Sequence, residues 1–167
     1  MKLFVFFSSA EVCAGNSSPL QVDAPYAPLS VYSESKIEAE CLIRASSLPY
    51  VILRPFTVYG PGQRGRMFIP QLLDAARDGN VFPMTLGEQL RDFVYVNDLA
   101  DLCQRLIDHR DAVVGKIFFV ASGNPVSMAF VADTINHLCD NRIVLQKGAL
   151  PYRSNETMLY TADPEPL

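Results

Sequence analysis

Three short, unbroken apolar runs constrain this chain most: Leu3-Phe-Val-Phe-Phe-Ser8, Tyr50-Val-Ile-Leu-Arg54 (closed by Pro55) and Lys116-Ile-Phe-Phe-Val-Ala121. Runs of this length without polar alternation suit parallel strands covered on both faces. Helical patterns lie between and after them. One runs from Val31 to about Ser46, with Ile37, Ala39, Leu42 and Ile43 at helical spacing ahead of Pro49. A second covers residues 67–78 and stops at Gly79-Asn80. A third runs to about Asp108 from Asn97-Asp98, read as its N-terminal cap, and a fourth starts at a capping Ser127 and runs through Leu138. Residues 81–84 and 93–96 read as a pair of strands around a glycine-containing loop, and residues 143–145 as a short strand. Residues 10–30 read as a loop rich in Ser, Pro, Asn and Gly, and Tyr59-Gly-Pro-Gly62 as a turn. The tail from Pro151 to Leu167, with Pro164 and Pro166, reads as extended. Strands alternating with helices predict a single α/β domain over residues 1–167 with a partly parallel sheet.

Composition narrows the function classes. With 167 residues, 49% hydrophobic and 19% charged, the chain is long and apolar enough for one real core. A net charge of −4 argues against a nucleic-acid surface while leaving room for a local basic pocket. No apolar run reaches membrane-spanning length, and the N-terminal run is too short for a signal peptide, so the expected location is the cytoplasm. Cys13, Cys41, Cys103 and Cys139 are scattered without C-x-x-C spacing, which predicts neither a disulfide framework nor a zinc site. Cys41 and Cys103 sit in apolar helical patterns and read as buried thiols. His109 and His137 fall near helix ends, outside any metal-spaced cluster, and read as surface or capping residues.

The chemistry-bearing feature is Tyr32-Ser-Glu-Ser-Lys36. On a helix, residues four apart share one face. A lysine ammonium beside a phenol favours the phenolate, and a phenol tuned that way can take a proton from an alcohol. The spacing alone is common by chance. Its surroundings add weight: a strand ending in Ser8-Ser9 precedes it, a proline-rich loop follows that strand, and the helix feeds a second buried strand.

Several segments, in order, resemble the extended short-chain dehydrogenase/reductase family of nucleotide-sugar epimerases, dehydratases and reductases. They are Ser8-Ser9-Ala-Glu-Val12, Pro25-Tyr-Ala-Pro28 with Tyr32-Ser-Glu-Ser-Lys36, Leu53-Arg-Pro-Phe-Thr-Val-Tyr-Gly-Pro-Gly-Gln63, and Arg91-Asp-Phe-Val-Tyr-Val-Asn-Asp-Leu-Ala100. The resemblance runs from about Leu3 to Asp163 and implies a Rossmann-like sheet. Residues 1–60 and 110–125 would belong to that sheet, interleaved with substrate-binding segments 61–109 and 126–167. It implies Tyr32 as the acid/base, Lys36 on the cofactor ribose and Ser9 on the reacting oxygen. It places Tyr32, Lys36 and Pro55 on the side of an NAD or NADP cofactor. Thr57, Tyr59, Arg91 and Arg153 would contact a UDP-, GDP- or TDP-sugar, the two arginines at its diphosphate. The alternative for Arg91 is a surface charge paired with Asp92. Arg54 reads as structural and Asp98 as a helix cap.

Departures from the family pattern qualify these roles. Ala10-Glu11 stands where dehydratases carry an Asp-Glu pair, which disfavours dehydration relative to epimerisation or reduction. Cys13 replaces a tyrosine, and Thr57 replaces an asparagine that contacts substrate. The family's opening strand, Gly-x-x-Gly-x-x-Gly turn and helix, which cradle the pyrophosphate, have no counterpart in the sequence. The chain therefore reads as a truncated relative, with activity on its own in doubt. The alternative is a non-catalytic nucleotide-sugar-binding or partner-interaction module. Residues 3–8 would form an exposed, apolar sheet edge, which predicts a homo-oligomer or a partner covering it.

Overall fold

A computed structural model describes residues 3–163; Met1, Lys2 and residues 164–167, including Pro164 and Pro166 of the expected tail, lie outside the described residues. In chain order the elements are β1 (Phe4–Phe7), α1 (Val31–Ala45), β2 (Tyr50–Pro55), β3 (Thr57–Tyr59), α2 (Phe68–Asp78), β4 (Val81–Met84), β5 (Leu90–Arg91), β6 (Phe93–Tyr95), α3 (Val96–Asp108), α4 (Arg110–Val113), β7 (Ile117–Val120), β8 (Val126–Ser127), α5 (Met128–Leu138), β9 (Val144–Lys147) and β10 (Leu159–Tyr160). A 3-10 turn over Ala10–Cys13 opens the segment expected to be loop.

The three apolar runs form one parallel sheet in the order β1-β2-β7, with Phe4 opposite Tyr50 and Ile52 opposite Ile117. β2 lies in the centre and buries Val51, Ile52, Leu53 and Arg54, which is why its sequence reads as a continuous run rather than an alternating one. One sheet face packs Val51, Leu53 and Val120 against Leu102, Leu106 and Val113 of the α3–α4 layer. The other packs Phe119 against Val12, Leu20 and Ile37 beneath α1 and the proline-rich loop. A third core joins α2 and α5 through Leu72, Ala76 and Ala132, with Met84 and Ile143 beneath.

Several expectations change. Residues 81–84 and 93–95 are strands but do not pair: β4 runs parallel to β9, and β6 parallel to β3. β5, between them in sequence, lies between β10 and β8. The last short strand starts at Val144 rather than Ile143. α3 starts at Val96 with Tyr95 at its cap position and no capping side chain, so Asn97 and Asp98 lie inside the first turn. An acidic Asp98 there still complements the helix dipole. Cys41 is exposed and Cys103 half-buried, while Cys13 is the buried thiol. On α1 the buried residues are Ser33 and Glu40, and Leu42 is 74% exposed. α1 thus buries Ser33 and Glu40 beside the half-buried Ile37, Ala39 and Ile43, and of the apolar residues expected inside only Leu42 turns to solvent. Gly79, in the left-handed region at φ 66°, ends α2 as the sequence suggests.

Candidate active site

The start of α1 is held by a reciprocal capping box: Ser30 Oγ accepts from the Ser33 amide and Ser33 Oγ from the Ser30 amide, both at 3.1 Å. Tyr32, Lys36 and Glu40 then fall at successive turns on one face. The Lys36 ammonium donates to the Phe7 carbonyl at 2.9 Å, tying α1 to the C-terminal end of β1. It lies 5.2 Å from the Phe6 ring centre and 5.6 Å from that of Tyr32, within cation–π range of both. The Tyr32 side is open, with that residue 51% exposed. Ser9 follows β1 as cap of the 3-10 turn, its Oγ accepting from the Glu11 amide at 3.2 Å.

One turn beyond Lys36, Glu40 is fully buried and pairs bidentately with Arg54 of β2: Nε to Oε1 at 2.9 Å and Nη2 to Oε2 at 2.7 Å. The Tyr26 hydroxyl donates to the same carboxylate at 2.8 Å, and Arg54 Nη1 donates to the Val22 carbonyl at 3.0 Å. Burial pushes the Glu40 carboxyl up, but hydrogen bonds from Arg54 and Tyr26 and the Arg54 charge outweigh it and hold the group below its ordinary 4.5. Burial likewise pushes the Cys13 thiol up, opposed by the neighbouring guanidinium. The structural role read for Arg54 is therefore the observed one. Glu40 and Tyr26 were missed, although the i, i+4, i+8 polar stripe Tyr32-Lys36-Glu40 was legible.

Arg91 is on β5, pinned between two strands, and does not pair with Asp92. Its Nη2 meets Glu156 Oε1 at 2.5 Å, and its Nη1 donates to the carbonyls of Thr157 at 2.6 Å and Leu90 at 2.9 Å. Burial pulls the guanidinium down while Glu156 opposes. Asp92, fully buried, accepts instead from the amides of Ser122 at 2.6 Å and Gly123 at 2.9 Å and from the Thr161 hydroxyl at 3.2 Å.

Arg91 and Arg153 both line two cavities. One, of about 350 Å³, also has Thr57, Tyr59, Gln63 and Phe93 in its wall. The other, of about 280 Å³, has Glu11, Ser30, Glu156 and Tyr160. Burial first, then the Glu11 charge, push the Tyr160 phenol up, so it stays a hydroxyl donor. The structure therefore brings Thr57, Tyr59, Arg91 and Arg153 to shared walls. Glu11 and Ser30, which line the second cavity, are the neighbours of Ser9 and of the Tyr32 helix start. Pro55 ends β2 opposite Val120 and is not among the residues lining either cavity. Glu156 and Tyr160 were not picked out from sequence, because nothing local marks them, and Gln63, at the end of a quoted segment, was given no role. Among the described residues no group of three or more His, Cys, Asp or Glu is placed to hold a metal ion, and no helix is long and apolar enough to cross a membrane.

A sheet of parallel strands, with Ser9 and the Lys36 ammonium at the C-terminal end of β1, defines a Rossmann-like α/β protein. The NAD dependent epimerase/dehydratase family profile matches residues 1–121, and the chain belongs to this family. It is 34% identical over 137 residues to UDP-glucose 4-epimerase of Vibrio cholerae, covering 77% of this chain and 41% of that protein. It is 32% identical over 145 residues to dTDP-glucose 4,6-dehydratase of Neisseria meningitidis serogroup B, covering 84% and 40%. Among solved structures it superposes on UDP-N-acetylglucosamine 4-epimerase of Methanobrevibacter ruminantium M1, in complex with UDP-N-acetylmuramic acid, with a TM-score of 0.83 at 26% identity, covering 98% of this chain and 54% of the other. It also superposes on MoeE5 in complex with UDP-glucose and NAD, with a TM-score of 0.81 at 32% identity, covering 96% and 55%. The chain spans about two-fifths of the length of these curated relatives and about half of the solved ones.

Proposed function

We propose that this chain supplies the substrate-binding and proton-transfer part of an NAD(P)-dependent nucleotide-sugar epimerase or reductase of the cytoplasm. The observation that carries the reading is the placement of Arg91 and Arg153 in the walls of both cavities, as a diphosphate bridging a base and a sugar would require. In this reading the cavity with Tyr59 and Phe93 takes the base, whose flat ring suits aromatic neighbours. The cavity with Glu11 and Ser30 takes the sugar, next to Ser9 and Tyr32. Tyr32 Oη removes the proton of the reacting sugar hydroxyl, and Ser9 Oγ hydrogen-bonds the same oxygen. Lys36 holds Tyr32 in the field of its ammonium and contacts the cofactor ribose. The residues fit the nicotinamide end of NAD(P), because the ammonium and phenol sit together at the open end of β1. The cofactor, when bound, would accept the hydride from the carbon whose hydroxyl gives its proton to Tyr32. Pro55 would border it.

Calorimetric titration of the chain with UDP-glucose and, separately, with NAD tests the assignment. UDP-glucose is expected to bind, and Arg91→Ala to weaken it about ten- to a hundredfold, the range for losing charged hydrogen bonds. Binding of UDP-glucose without NAD favours a non-catalytic nucleotide-sugar module. Binding of neither sinks the proposal. The free edge of β1 supports a further part of it: a second copy or a partner covers Phe4 and Phe7, which are 42% and 43% exposed.

A further inference from the structure

The charges around the second cavity reach beyond the diphosphate to the sugar itself, an inference that rests on the nucleotide-sugar reading above. Four charged side chains line that cavity: Arg91, Arg153, Glu11 and Glu156. In the structure Glu156 is matched by Arg91. Glu11 accepts a hydrogen bond from Ser30 Oγ at 3.3 Å and forms no salt bridge among the described residues. The Lys36 ammonium, outside the wall, is held on the Phe7 carbonyl. A bound diphosphate draws both guanidinium groups to itself. The wall that faces the sugar is then left with two carboxylates only partly offset by guanidinium groups shared with the diphosphate. The remaining polar groups there, Ser30, Asn155 and the Tyr160 hydroxyl, suit sugar hydroxyls or an amide.

We propose that this cavity accepts neutral or amino sugars and rejects sugars that carry a carboxylate, with Glu11 and Glu156 as the specificity-determining residues. A carboxylate brought between Glu11 and Glu156 is repelled by both, and the repulsion is felt most at low ionic strength, where screening is weak. Rejection by unfavourable charge is also how a site separates ligands that share a nucleotide.

The test is calorimetric titration of the whole chain at low ionic strength with UDP, UDP-glucose and UDP-glucuronic acid. UDP-glucose should bind about tenfold or more tighter than UDP-glucuronic acid, the effect of one partly screened like-charge contact. Glu11→Gln should narrow that ratio and Glu11→Lys should reverse it. Glu11 is exposed at the surface of its turn, so both variants should fold, and far-UV circular dichroism checks this. Glu156→Gln gives an independent narrowing from the other wall. Equal affinity for the two sugars, or a preference for glucuronic acid in the native chain, overturns the charge rule while UDP binding keeps the nucleotide reading. A ratio unmoved by Glu11→Gln, Glu11→Lys and Glu156→Gln overturns the assignment of these residues. Failure of UDP itself to bind overturns the nucleotide-sugar reading and this inference with it.

Discussion

Glu40 shows how one residue can decide the setting of a catalytic face. Its carboxylate joins α1 to β2 through Arg54 and to the proline-rich loop through Tyr26, one turn from Lys36. Glu40→Ala would leave a buried guanidinium without its counter-charge, a change that costs roughly 3–5 kcal/mol in comparable buried pairs; denaturant unfolding measures it. The pH dependence follows from the direction of the shift. The folded carboxyl titrates below its ordinary 4.5, so its stabilising contribution is complete above that value and is lost as pH falls through the lower folded value. Unfolding midpoints should therefore drop on acidification below about pH 4.5, and the drop should be shallower in Glu40→Gln. A midpoint equally acid-sensitive in that variant would exclude Glu40 as its source. Residue types alone pointed to Tyr32, Lys36 and Arg54, since a phenol, an ammonium and a strand-end guanidinium each have a narrow range of uses. They did not show that Cys41 faces water and Cys13 does not. Apolar neighbours in sequence do not say which way a helix is rotated.

The same limit holds for elements. Strand runs and helix stops were legible where chemistry is local: the continuous apolar β2, the left-handed Gly79 after α2, and the Ser127 cap of α5, whose Oγ accepts from Phe130 at 3.0 Å. The start of α3 was displaced because Asn97 and Asp98 look like caps, whereas the turn from β6 leads straight into the helix at Val96. A close approach fixes that corner: a Cβ on Gly60 would stand 2.3 Å from Val96 Cγ1. The β1 edge carries an element-scale prediction. The amides of Phe4 and Ser8 donate to the carbonyls of Pro49 and Leu53, so the alternate groups of Val5 and Phe7 point away from β2. Lys36 satisfies the Phe7 carbonyl, and among the described residues no strand pairs with the outer edge of β1, where Phe4 and Phe7 are exposed. Light scattering at micromolar concentration should report a species larger than the monomer, and Phe4→Lys should shift it towards the monomer, because lysine blunts edge pairing. A monodisperse monomer for the native chain would rule out self-association through this edge.

For the molecule as a whole, the decisive contacts join residues far apart in sequence. Asp92 gathers Ser122, Gly123 and Thr161, locking the β5–β6 corner to the loop after β7 and to the strand-forming tail. Asp92→Ala takes the acceptor from the amides of the exposed Ser122 and Gly123 and leaves the buried Thr161 hydroxyl without its carboxylate partner, an orphaned group that costs about 1–3 kcal/mol. Urea unfolding should register a loss of at least about 1 kcal/mol, and a smaller loss would mean water replaces the carboxylate. By itself the sequence determined the alternation of strands and helices, the family, and the pairing of Tyr32 with Lys36, because these depend on periodicity and on spacing within one turn. Only the tertiary structure decided that β2 is central, that Arg91 meets Glu156 rather than Asp92, and that Arg91 and Arg153 share two cavity walls. Arg91 ends β5 and Asp92 lies in the corner before β6, so the two find separate partners, and which partners those are depends on how distant segments pack.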